Sequence, residues 1–530
     1  MRVKLIDWRR YFRVEAVGTP GGAAVSYVPV VMVSRGLAFL RLLVVARLLG
    51  AAGKAEFGLY QPAQELVNWV VPVALLGLAD VAERYASRFE REGRLGWWLR
   101  RQYLRLLGMA LGIGAALLAC GPWVARGILH VPANDTARGV WLVVGCAVTI
   151  VALAMYQHLA AVLRGVRAYG ASAGLELVSA ILFLLFAAVA AWRGGAVSLM
   201  AAYAGAVILA VLFYGWRLWR FVRTLPAAGS AVPGSEEAEE NGGNFHGFAI
   251  WAFLRLLLMM TFSAVSVLGV GYLAGKGAQE ATADYAMPYR IAQLLSYVAA
   301  TVWASTYGIA ARAWSHGQVR RAHVQLFRVG KWGAVLMTLI AVAVLAGRSI
   351  LAAIEVDYAN AIMRLLPPLL GVFLWFGLLT FCSLYSDLHE TPWKGAMLWG
   401  SAVVVQVGTL CVEWHRGVAE GGSGGAKEAM ILACALGTGF ALLVLAPVML
   451  WRPFRMSATA VPLAVMALAP LSLFAPAWGV DVVAIPVLLG AVGFVWVSGL
   501  LIRPVDRRAW RRWRGFPATR SPGTQDPGAI

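Results

Sequence analysis

Along this chain apolar residues gather into long runs separated by short polar or basic segments. Crossing about 30 Å of hydrocarbon takes roughly 20 helical residues, and about fourteen runs are long enough. They lie at 27–49, 59–81, 103–129, 139–163, 173–192, 196–214, 248–273, 285–310, 332–354, 365–385, 396–412, 429–451, 458–473 and 482–502. The pattern predicts an all-α, polytopic integral membrane protein with about 14 transmembrane helices, in which two six-helix lobes precede a C-terminal helix pair. The expected boundaries are an N-terminal foot (1–25), a first lobe holding spans one to six (26–216), a linker (217–246), a second lobe holding spans seven to twelve (247–455), the last two spans (456–502) and a basic tail (503–530).

Composition agrees with that class. The chain is 60% hydrophobic and 14% charged, with a mean hydropathy of +0.71, and its polar surface could not cover so much apolar mass in water. The net charge of +20 raises the question of nucleic acid. The basic residues, however, sit in short loops between apolar runs rather than on one face, which argues against it. The five cysteines fall in or beside apolar runs without metal-ligand spacing and read as small core residues.

The same loops set an expected orientation. With the N-terminus in the cytoplasm, about 32 Lys and Arg fall on cytoplasmic segments, about 9 on the outer side and about 5 within spans, the bias of the positive-inside rule. The heaviest cytoplasmic clusters are 84–105, 312–331 and 503–514. An even number of spans places the C-terminus inside too, in a cytoplasmic (inner) membrane. The first twelve residues lack a cleavage pattern and read as an interfacial foot on anionic membrane lipids. The linker, with Gly234-Ser235-Glu236-Glu237 and further Glu and Gly, cannot bury a core and reads as a flexible cytoplasmic connector.

A short phrase occurs twice: Ala38-Phe39-Leu40-Arg41-Leu42-Leu43 and Ala252-Phe253-Leu254-Arg255-Leu256-Leu257. Each copy puts an arginine inside a span, which costs at least about 2.5 to 3.5 kcal/mol on the insertion scale and needs a reason. Both halves then enter their second span through a proline, Pro62 in one and Pro288 in the other. A duplication with parallel halves is the reading taken, with a substrate path between the lobes. Chance similarity between Leu-rich helices is the alternative.

Several stretches carry a family resemblance. Ser34-Arg35-Gly36-Leu37-Ala38-Phe39-Leu40-Arg41, Ala46-Arg47-Leu48-Leu49-Gly50 and Glu56-Phe57-Gly58-Leu59-Tyr60 resemble the opening of polysaccharide-transport proteins of the multidrug/oligosaccharidyl-lipid/polysaccharide exporter superfamily. Leu76-Gly77-Leu78-Ala79-Asp80 and Leu163-Arg164-Gly165-Val166-Arg167-Ala168-Tyr169, the latter followed by Glu176-Leu177, are similar to later passages of that family. The resemblance implies flipping of polyprenyl-diphosphate-linked glycans between leaflets. The implied partners are the lipid-linked glycan, membrane lipids and glycan polymerase or ligase machinery. An extra C-terminal pair is similar to the lipid II flippase branch.

Carrying a diphosphate through hydrocarbon calls for cations in an internal cavity, and arginine suits the task because its planar guanidinium bonds two oxygens at once. The candidates are Arg41, Arg255, Arg290 and Arg35. Arg35, Arg41 and Arg47 fall on three faces of one helix, so a straight helix cannot aim all three at one cavity. Arg41 is the deepest of them, while Arg35 and Arg47 lie nearer the ends, where snorkelling is the leading explanation. Arg255 is expected to share the cavity as the repeat partner of Arg41. Arg290 is expected either there or as an interfacial anchor.

Glu65, Asn68, Asp80 and Glu176 are the polar candidates for ion coupling or a cavity lining. Glu65 would pair with a span-one arginine or take part in coupling, and Asp80 would make a local ion pair beside Glu83 and Arg84. No catalytic residue, metal site or cofactor is expected, since phosphate-loop, Cys-x-x-Cys and His-Glu-x-x-His motifs are missing from the sequence; coupling to protons or sodium is left open. Two other functions compete with the flippase reading: an ion-coupled multidrug or small-molecule antiporter and, behind it, an integral membrane glycan polymerase or ligase. The antiporter would favour acidic cavity residues, and the polymerase would need a large outer loop.

Overall fold

The computed structural model describes Tyr11, Val14 and residues 20–50, 54–91, 93–193, 195–224, 243–275, 277–315, 318–388, 391–415, 422–450, 460–474 and 480–497. Most of the expected foot, the linker between 225 and 242, the end of the last expected span and the whole basic tail lie outside the described residues. Among the described residues, twelve long helices make the two halves. The first half has α1 (Pro20–Gly50), α2 (Lys54–Leu75), a short amphipathic α3 (Leu78–Arg91), α4 (Leu95–Ala119), α5 (Thr136–Gly165), α6 (Tyr169–Arg193) and α7 (Gly195–Thr224). The second has α8 (Gly243–Ala274), α9 (Ala278–Ser315), α10 (Val319–Ala346), α11 (Ala359–Leu388), α12 (Pro392–His415) and α13 (Gly422–Gly439), the last running on through a π-helical turn to Met449.

Among the described residues, nine helices are long and apolar enough to cross a membrane, or ten if 330–346 and 348–354, bent by 56°, form one broken span. The two long helices that fall short are α2 and α9. They carry Gln61, Gln64, Glu65 and Asn68, and Arg290 and Gln293, so polarity that serves the molecule's interior lowers their mean hydropathy. The last two expected spans appear as shorter apolar helices, α14 (Ala460–Leu468, continued by a 3₁₀ segment to Phe474) and α15 (Val480–Val497). Both pack on α10, and the 3₁₀ segment packs on α11. The chain is a multi-pass integral membrane protein with two lobes and an appended helix pair.

The lobes repeat each other in packing. α1 lies on α6 as α8 lies on α12; α2 on α5 as α9 on α11; α5 on α7 as α11 on α13. The register repeats too. Helix starts at Pro20, Lys54, Leu95, Thr136 and Tyr169 recur, at a nearly constant separation, at Gly243, Ala278, Val319, Ala359 and Pro392. Pro62 and Pro288 keep close to that register. The repeated Phe-Leu-Arg-Leu-Leu phrase does not, because Arg255 comes well before the position that the helix starts would assign to a counterpart of Arg41. At about 1.5 Å per residue, that slip places the second copy roughly 14 Å away along its helix. Duplication is evident in the fold, but the phrase is not its marker, and Arg255 is not the structural counterpart of Arg41.

In each lobe the fourth helix is the hub. The apolar window of α11 is 89% buried and that of α5 56%, against 22% for α4, which faces outward. The lobes meet where α2 packs on α8 and α9 and where α1 packs on α9. Between α2 and α3 the chain turns sharply through Leu76 (φ 41°) and Gly77 (φ 76°), which ends the span and lays α3 against α5.

In the connection between 348–354 and α11, outside the spans, Glu355 is buried and one of its carboxylate oxygens has no hydrogen-bond partner among the described residues. Burial pushes its carboxyl up to about 7; Asp357 adds to the rise and Arg47, in the last turn of α1, opposes it. A carboxyl whose folded pKa is raised holds its proton more tightly when folded, so its stabilising share is present at low pH and fades as pH climbs from about 4.5 to about 7. The Glu355→Gln variant should therefore melt with wild type at about pH 4.5 and above it at about pH 8. Parallel melting curves at both pH values would show that this carboxyl titrates normally.

Candidate functional site

The polar residues of α2 stand at 61, 64, 65 and 68, the i, i+3, i+4, i+7 spacing that puts them on one helical face. That face meets α9 just after Pro288, where Arg290 is buried. The Arg290 guanidinium donates from Nε to Oε1 of Gln61 (2.7 Å), from Nη1 to Oε1 of Gln293 (2.7 Å) and from Nη2 to Oε1 of Gln64 (3.5 Å). Its Nη2 also lies 2.6 Å from Oε1 of Glu65. Asn68 is within hydrogen-bonding reach of the same carboxylate. A cation in hydrocarbon is tolerated when its charge and donors are met in this way. The partner of Glu65 is thus the second lobe's Arg290, correcting the expectation of a span-one arginine.

A narrow cavity, with about 60 Å³ of room for water, opens beside this cluster. Its walls include Arg41 and Phe39 of α1, Tyr60, Gln61 and Gln64 of α2, Phe183 of α6, and Arg290, Gln293 and Tyr297 of α9. Both lobes contribute. Arg41 stands over the Phe183 ring, its guanidinium carbon 4.0 Å from the centroid. Among the described residues no carboxylate pairs with Arg41. Arg290 is neutralised by Glu65, so Arg41 leaves the cavity with a net positive charge.

The remaining candidates fall around this centre. Arg35 pairs with Glu176 (3.3 Å), which also accepts a hydrogen bond from the Tyr27 hydroxyl (2.9 Å), and it stacks on Tyr297 at 4.7 Å, the same ring that lines the cavity. It is held in place rather than snorkelling. Arg47 is exposed at the end of α1.

Arg255 does not line the cavity. Its Nη2 lies 3.2 Å from Asp387 at the end of α11 and 3.7 Å from Asp80 at the start of α3. Asp80 therefore faces across the lobes, and it is Glu83 that makes a nearby pair, with Arg164 at 2.9 Å. The Asp80–Arg255–Asp387 cluster ties the lobes at the end where α1 begins.

At the opposite end the lobes touch backbone to backbone. A Cβ on Gly58 of α2 would lie 2.0 Å from the carbonyl oxygen of Gln279 in the first turn of α9. The Gln279 amide donates to the His130 carbonyl (3.3 Å), and Asp284 accepts from Lys54 (2.9 Å) and Lys427 (3.1 Å). The close approach of the lobes at that end depends on the absence of a side chain at Gly58.

Sequence reasoning missed Gln61, Gln293, Phe183, Tyr297 and Asp387. The α2 stripe was open to detection from its spacing. No sequence signal pointed to Asp387, whose partner Arg255 stands on a helix far earlier in the chain.

No family model matches the sequence, and no curated protein matches it. Solved structures do match. An outward-facing multidrug resistance MATE family transporter of the MOP superfamily is 15% identical with a TM-score of 0.58, covering 83% of this chain and 98% of its own. A MOP superfamily transporter from Pyrococcus furiosus, described by a binding pocket of reverse polarity that suggests a different function, is 16% identical with a TM-score of 0.57 over 86% of this chain and 99% of its own. MATE in its bent conformation is 15% identical with a TM-score of 0.54 over 85% and 99%. At these identities the likeness speaks for architecture, and this chain has the two-lobed helical fold of the MOP superfamily's MATE transporters.

Proposed function

We propose that this protein is a membrane transporter that moves an amphiphilic anion, a polyprenyl-diphosphate-linked glycan, by alternating access of its two lobes. The observation that carries the reading is Arg41, a cation without a carboxylate partner among the described residues, on the wall of a cavity that both lobes build. At an effective dielectric near 20, a unit charge about 4 Å away contributes roughly 4 kcal/mol before desolvation, enough to favour a diphosphate strongly over an organic cation. The narrow volume fits alternating access, because ligand sites usually need about 300 Å³ or more and cargo of glycan size enters only when the lobes part. Pocket polarity is not uniform among solved transporters of this fold, since one of them is described as reversed.

The second reading is an ion-coupled multidrug or small-molecule antiporter. The solved neighbours' descriptions favour it more than the first, as two of the three are described as MATE and one of those as a multidrug resistance transporter. Glu65 also favours it, as a buried carboxylate at the lobe seam that a proton or sodium ion could address. Proteoliposomes separate the two. Translocation of a polyprenyl-diphosphate sugar should fall at least about tenfold in Arg41→Ala and only partly in Arg41→Lys, which keeps the charge but loses the two-pronged contact. Transport of a cationic dye, with no response to the lipid-linked sugar, would make the antiporter the better account.

A further inference from the structure

The first lobe carries a second group of cations that the transport site does not use. At the end where α4 begins and α7 finishes, Leu95, Trp98 and Leu99 pack with Leu218, Phe221 and Val222 in one apolar cluster, so the two helix ends stand side by side. Around that cluster each exposed tryptophan is covered by arginine. The Arg220 guanidinium lies 3.8 Å from the Trp216 ring and that of Arg223 3.5 Å from Trp219. Arg94 and Arg101 flank Trp97 at 5.3 and 5.5 Å. Among the described residues none of these four arginines has a carboxylate partner, whereas Arg35, Arg164, Arg255 and Arg290 each have one.

We propose that these two helix ends form a docking surface for the headgroups of anionic phospholipids. The level is set further along the helices, where Leu111 of α4 and Leu212 of α7 are 54% and 63% exposed and so face hydrocarbon. The arginine–tryptophan pairs lie just beyond that apolar band, at the depth where indole rings settle and phosphates begin. Stacking on indole fixes one face of each guanidinium and leaves its N–H edge free to bond phosphate oxygens. An acidic headgroup supplies the anion that the protein itself does not.

The test is native mass spectrometry of the full chain in detergent, titrated with phosphatidylglycerol or phosphatidylcholine. Wild type should bind phosphatidylglycerol more tightly. Arg220→Gln/Arg223→Gln should lose about fivefold of that preference per arginine removed, with phosphatidylcholine unaffected. Arg220→Lys/Arg223→Lys, which keeps the charge but changes the stacking, should fall between. Both pairs are surface changes, and a melting curve checks that the fold is kept. Equal affinity for the two lipids, or unchanged phosphatidylglycerol binding in the Gln pair, would overturn the assignment, as would soluble glycerol phosphate competing as well as the lipid.

Discussion

Removing Arg290 alone should cost about 3 to 5 kcal/mol of stability, because deleting one partner of a buried ion pair strands the other. Arg290→Leu leaves Glu65 buried at the lobe seam with Asn68 as its remaining hydrogen-bond partner among the described residues. Glu65→Leu should cost less, since Arg290 keeps its 2.7 Å bonds to Gln61 and Gln293. The double Leu variant should be more stable than the sum of the single losses predicts, as paired buried ions often exchange for apolar groups at little cost. Thermal unfolding of all four proteins in one detergent gives the double-mutant cycle. Strictly additive losses would mean that the two side chains do not act as a pair.

The second large effect is steric. Gly58→Val should abolish transport at normal abundance, because even its Cβ would lie 2.0 Å from the Gln279 carbonyl and that end of the molecule could not close. On a background lacking the exposed Cys120 and Cys411, a cysteine at the buried Ala281 should resist a soluble thiol reagent in otherwise wild-type protein. It should label readily once Gly58 is Val. Normal transport by Gly58→Val, or unchanged protection of that cysteine, would show that the backbone contact is not part of the transport cycle.

The helices are legible in the sequence because runs of about 20 apolar residues have few other uses. The lobes are legible too, from the linker and the paired prolines Pro62 and Pro288. The site is only half visible. The α2 stripe of Gln61, Gln64, Glu65 and Asn68 obeys helical periodicity and needs no structure to be seen. Its partner is another matter, because Glu65 finds Arg290 through the rotation and tilt of two helices in different lobes, which local sequence does not encode. The repeated phrase misleads for a related reason. Leucine-rich helices offer many near-matches, and only the register of the helix starts shows that Arg41 and Arg255 sit at different depths.

The central claim is that Arg41 gives the cavity its preference for an anionic headgroup. Equilibrium binding to purified wild type and Arg41→Ala tests it most directly, with a polyprenyl-diphosphate sugar, the same lipid without its diphosphate, and a cationic dye as ligands. Wild type should prefer the diphosphate lipid, and Arg41→Ala should lose about 10- to 100-fold of that affinity, the worth of a charge-assisted hydrogen bond. Its affinity for the lipid without diphosphate should stay unchanged. Equal binding of the diphosphate lipid by both proteins, or tighter binding of the dye by wild type, would contradict the account.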